Sequence, residues 1–170
     1  MINKALLVKA AAVAGLVSFA APASATTFFT NFDSTNFGAG AGYVILPSYE
    51  GWTANPFLAG VNGIEVQYNN VAGLAFSGPN LVELDAGGNS TMERGITAGN
   101  YTLTFQYSAR PGIGLASNGI DVLLNGSSIF NVSGAGGSGT SWALQTVNFT
   151  AVGPAVLSFS AIGTSDSLGG

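Results

Sequence analysis

The chain has 170 residues, of which 47% are hydrophobic and only 7% charged, with 25 glycines. It contains no histidine and no cysteine, which excludes a Ser-His-Asp triad, His-ligated metals, thiol nucleophiles, disulfides and Fe–S clusters. Lys4 and Lys9 lie in the first ten residues, and the rest of the chain sets Arg94 and Arg110 against eight acids, too little positive charge for nucleic acid binding.

Residues 1–25 read as a signal peptide of a bacterial kind. A short basic start precedes an apolar stretch from Ala10 to Ala21, which Pro22 ends ahead of Ala23-Ser24-Ala25. Small residues at −3 and −1 fit the groove of a signal peptidase and predict cleavage after Ala25, with export to the periplasm, cell surface or medium. The apolar stretch is shorter than the roughly 20 residues a membrane-spanning helix needs. No later run is long and apolar enough either, so the mature chain is expected not to span a membrane. Residues 26–170 then form a single domain, held by its core without disulfides.

Thr27–Phe32 is the first strand candidate. Trp52 follows Gly51 in a polar stretch, where a large aromatic is either a stacking platform for sugar or a core residue. Ile64–Tyr68, Leu74–Phe76 and Leu81–Asp85 are the next candidates. Glu83 and Asp85 stand two apart and so share a strand face. Paired carboxylates suit acid–base chemistry or cation binding, and a solvated strand end is the alternative.

Tyr101–Tyr107 alternates without fault, with Tyr101, Leu103, Phe105 and Tyr107 on one face and Thr102, Thr104 and Gln106 on the other, the pattern of a half-buried strand. Arg110 follows at a Pro-Gly turn. It can offer its planar fork to a ligand at the rim of the sheet, or pair internally with Glu65, Glu83 or Asp121. Ile120–Leu124 and Ser128–Val132 flank Asn125-Gly126, the signature of a type I′ hairpin. Ser133–Thr140 reads as a flexible glycine-rich loop. Trp142–Thr150 and Ala155–Ile162 complete the series, and Trp142 poses the same choice as Trp52. No window has an amphipathic helical pattern. Short strands with turn signals about every ten residues predict an all-β antiparallel sandwich or barrel.

Several phrases in order resemble bacterial exported jelly-roll domains of the galactose-binding-like kind, common in proteins that bear a PEP-CTERM sorting signal. They are Asn31-Phe-Asp33, Gly51-Trp52, Gly63-Ile-Glu-Val66, Leu81-Val-Glu-Leu-Asp85, the run from Tyr101 to Gly112, Ser117 to Gly126, Trp142, and Gly163 to Gly170. The resemblance implies a carbohydrate-binding β-sandwich without catalysis, whose ligand is a carbohydrate or an extracellular polymer. Its candidate ligand-binding residues are Trp52, Glu65, Glu83, Arg110 and Asn118.

Such domains usually continue beyond the Gly-Gly with a strand resembling Ile-Asp-Asn-Val-Ser and a sorting tail. The chain is therefore expected to be C-terminally truncated, to lack its last strand, and to self-associate through an exposed edge. No cofactor is expected. A structural calcium ion is implied only for a longer form, with Asp33 as one ligand. Two other functions compete: a structural matrix protein making protein contacts, and a glycoside hydrolase or lyase built on Glu83 and Asp85.

Overall fold

The computed structural model describes residues 27–165 and contains no helix there. The expected signal peptide, with its expected cleavage after Ala25, lies outside the described residues. Eleven strands follow in chain order: β1 Gly42–Leu46, β2 Ser48–Tyr49, β3 Trp52–Ala54, β4 Ile64–Tyr68, β5 Asn80–Glu83, β6 Thr91–Ile96, β7 Gly99–Tyr107, β8 Gly119–Leu124, β9 Ser127–Ser133, β10 Ala143–Ala151 and β11 Ala155–Ala161. They make a two-layer antiparallel β-sandwich.

One layer is a continuous six-stranded sheet in the order β2-β3-β6-β11-β8-β9. Its centre is β11, where Leu157, Ser158 and Phe159 are all buried. The β8–β9 hairpin turns on Asn125 and Gly126, whose φ values of 51° and 79° are those of the expected I′ turn. The other layer is split into the sheets β1-β4-β5 and β10-β7. The alternation along β7 holds, since Tyr101, Leu103, Phe105 and Tyr107 pack on the core while Thr102 and Thr104 are exposed. Phe105 meets Phe130 and Phe159 edge-on at 6.1 and 5.0 Å, which ties this layer to the six-stranded sheet.

Two expected strands are absent. The backbone of residues 27–32 joins no ladder; a carboxylate organises it instead. Glu50 accepts hydrogen bonds from the amides of Phe32 (3.0 Å) and Ser34 (2.8 Å) and from the Thr30 hydroxyl. Phe32 itself has φ of 61°, which interrupts extended backbone. Leu74–Phe76 lies in the loop between β4 and β5, bounded by Gly73 and Gly78, both with positive φ. Conversely β1, β2, β3 and β6 form from segments whose apolar alternation is too short or too broken by Gly, Glu and Arg to read as strands.

Candidate functional site

The two halves of the split layer do not meet. Between β5 and β7 lies an open cleft of about 610 Å³, within the size range of ligand pockets. Its floor is the inner face of the six-stranded sheet, with Trp52, Met92, Ile120, Leu157 and Phe159. Residues 100–108 wall one side, and residues 80–84 with the N-terminal segment 27–32 wall the other. Ala72, Phe76 and Ser77 reach it from the β4–β5 loop. That loop is fastened at the Leu74 carbonyl, which accepts from Trp142 Nε1 and Thr140 Oγ1, each at 2.8 Å.

A polar cluster closes one end of the cleft. The β4–β5 register sets Glu65 directly opposite Glu83, and period-two alternation brings Gln67 to the same face as Glu65. The Gln67 amide donates to Glu65 Oε1 at 2.8 Å and to Glu83 Oε2. Arg110 Nη1 lies 2.5 Å from Glu83 Oε1. Asp85, wholly buried two residues beyond Glu83, adds a third acid.

Burial pushes the Glu83 carboxyl up to about 8. The Arg110 charge opposes this, and the neighbouring Glu65 and Asp85 charges reinforce it. Burial also raises Glu65, against the pull of Gln67 and Arg110. Glu65 and Glu83, sharing one guanidinium in a low-dielectric setting, both hold their protons more tightly than free carboxyls do.

Arg110 is held by the loops around it. Its backbone N–H donates to Asn118 Oδ1 at 2.9 Å, and Asn118 Nδ2 donates to the carbonyls of Ile113 (3.0 Å) and Gly114 (3.4 Å). The glycine-rich loop is an active part of this arrangement. Gly136 donates to the Ile113 carbonyl at 2.8 Å, and any Cβ at Gly136 would collide with the Arg110 carbonyl, so only glycine fits.

Glu65, Glu83 and Arg110 are thus brought together, and Arg110 pairs with Glu83 rather than waiting unpaired at a rim. The solvated strand end considered for Glu83 and Asp85 gives way to burial, at 5% and 0% exposure. Asp121 stands apart, accepting from Ser128 at 2.5 Å. Trp52 is 2% exposed and sits edge-on to Phe28 and Phe159; it is floor, not an exposed platform. Asn118, 1% exposed, is a loop staple behind Arg110 and is not placed on the rim. Asp33 accepts from the Asn80 amide at 3.2 Å and so fastens the start of β5. Among the described residues no group of three or more Asp, Glu, His or Cys side chains is placed to hold a metal.

Sequence reasoning missed three residues. Gln67 could have been found by the two-residue spacing already applied to Glu83 and Asp85. Glu50, with φ of 47°, and Arg94, stacked 4.4 Å over the Phe28 ring, bind the N-terminal segment through contacts remote in sequence, and no local pattern announces them. Two buried polar atoms of cleft-lining residues, Trp52 Nε1 and Gln67 Oε1, find no hydrogen-bond partner among the described residues. No protein-family model matches the chain, and no curated protein is significantly similar to it.

Proposed function

We propose that this protein is an exported, non-catalytic binding module, a jelly roll of the galactose-binding-like kind, whose β5–β7 cleft takes up a segment of carbohydrate or another extracellular polymer. One observation carries the reading: an aromatic-walled, open cleft ends on the Arg110–Glu83 pair. Ring faces such as those of Phe76 and Trp142 suit the apolar faces of a polymer unit, and a guanidinium beside a carboxyl suits its polar groups. Two buried polar atoms on the cleft wall and floor support it further, because such groups are normally satisfied.

Catalysis is the weaker reading. A glycosidase places two carboxyls on opposite sides of a bond with room for substrate between them. Here the Gln67 amide occupies the space between Glu65 and Glu83 and donates to both. A protein-contact role is the second reading, and the edges of β5 and β7 that border the cleft, which have no partner strand there among the described strands, favour it.

The test is a glycan and polymer array probed with the wild type and with Arg110→Lys, both checked for equal thermal stability. Binding that the wild type shows and Arg110→Lys loses supports the cleft. An array without binders, or binding indifferent to Arg110, overturns the carbohydrate form of the proposal.

A further inference from the structure

The polymer in the cleft can be specified further, an inference that rests on the reading of the cleft as a polymer-binding site. We infer that the cleft accepts one extended segment of a partner polypeptide, which pairs antiparallel with β5 on one side and β7 on the other.

The first reason is what the walls are made of. Among the described strands, β5 has β4 on one side only and β7 has β10 on one side only. In an antiparallel pair, every second residue turns both its N–H and its C=O away from its partner. The cleft is therefore bordered along β7 by a row of alternating donors and acceptors at strand spacing, and along β5 by a shorter one, in which the Asn80 N–H is taken by Asp33 and Val82 faces the cleft. A polypeptide backbone repeats at that spacing and a sugar chain does not. Among the described strands, β5 and β7 are the edges that face each other across a cavity.

The second reason is direction. Glu83 is the last residue of β5, Tyr107 is the last of β7, and Arg110 just beyond β7 bonds Glu83. Both strands thus run toward the same end. A single strand whose chain direction runs away from that end is antiparallel to both neighbours, and it would join β1-β4-β5 and β7-β10 into one antiparallel layer opposite the six-stranded sheet.

The third reason is the setting for side chains. The inner face of an entering segment would rest on Leu157, Phe159 and Ile120 beside Leu103 and Phe105, all lining the cleft. On its outer side Phe29, Phe76 and Leu144 line the same cleft yet are 85%, 59% and 64% exposed. Large apolar side chains gathered around one opening mark an interaction site. The matching partner has apolar, β-branched residues on both strand faces and few charges, and it recognises the cleft by strand addition.

Amide hydrogen exchange, read at individual residues by NMR, tests this on the full chain. The probe is a blocked peptide of about seven residues alternating Thr and Val, a strand of typical length. The control is the same peptide with every second amide N-methylated, which removes the hydrogen bonds to one neighbour. The expected result is exchange slowed by about tenfold or more along both β5 and β7 with the plain peptide, and no slowing on one of the two edges with the control.

Equal effects of both peptides, or slowing on one edge only with the plain peptide, overturns the inference. If oligosaccharides slow exchange around the cleft and the peptide does not, the polymer-binding reading stands and the polypeptide assignment falls. If neither changes exchange there, both fall.

Discussion

The two layers of the sandwich solve the same packing problem with different side chains. In the six-stranded layer the buried positions of β11, β8 and β6 include Leu157, Phe159, Val122, Ile120 and Met92, with Ser158 as a small polar exception. In the split layer Ile64 and Val66 pack on the core, while Glu65, Gln67 and Glu83 are buried on the opposite face of their strands. Both layers thus offer apolar side chains to the core, and the interrupted one also buries acids and an amide on its far face. Stability is therefore concentrated in one layer and chemical character in the other.

That contrast can be broken most severely at β11. Leu157→Ala, at 1% exposure, should cost about 2–5 kcal/mol in urea unfolding. Leu103→Ala, half-buried beside the cleft, should cost clearly less. Equal losses would mean that the layers contribute alike.

Next in size is Arg110→Ala, which leaves the buried Glu83 carboxylate without its cation. The loss should be about 1–1.5 kcal/mol greater at pH 9, one unit above the carboxyl's value of about 8, than at pH 5, where Glu83 is protonated with or without Arg110. A loss that does not vary with pH would show that Arg110 acts only through packing.

The wild type should itself report Glu83. The folded carboxyl titrates near 8 and the unfolded one near the ordinary carboxylate value, so between those limits the folded state holds the extra proton. Stability is then greatest below the unfolded value and falls as pH rises to about 8, by roughly 1 kcal/mol per pH unit. Glu83→Gln should flatten the curve in thermal melts from pH 5 to 8.

Gly126→Ala, in the hairpin of the strong layer, should cost about 1 kcal/mol because φ is 79°. The smallest effect concerns Glu50. Partial burial would raise its carboxyl, but the bonds from Thr30, Ser34 and Phe32 outweigh that and hold it below the usual carboxylate range. Here the sign reverses: the stabilisation is present above the unfolded value and lost as pH falls through the folded one. The protection factors of the Phe32 and Ser34 amides, referred to the intrinsic exchange rate at each pH, should fall in acid, with no change at β11.

The fold was legible wherever side chains alternate over five or more residues. Tyr101–Tyr107 and the Asn125-Gly126 hairpin are cases in which local chemistry and the final packing agree. Thr27–Phe32 misled because its aromatics serve tertiary contacts with Trp52 and Tyr49 rather than a ladder. The short strands β2 and β3 carry too few residues for any period to register. Within the site, scarcity of charge drew attention to Glu65, Glu83 and Arg110, and those three do meet. Sequence did not reveal that they meet inside the molecule, because burial depends on β4 and β5 being covered by loops from elsewhere. Nor did it decide whether Trp52 is a platform or a core residue, because distant segments, Phe28 among them, close over it.

The two tryptophans divide along the same line. Trp52 is sealed in the six-stranded layer, while half-buried Trp142 holds the Leu74 carbonyl of the loop beside the cleft. An indole's emission depends on the polarity around it. Trp52 should therefore emit at short wavelength until the whole domain melts, whereas Trp142 should shift whenever that loop is lifted. With one conservative replacement at a time, the molecule becomes its own optical gauge, one ring reading global unfolding and the other reading traffic at the cleft mouth.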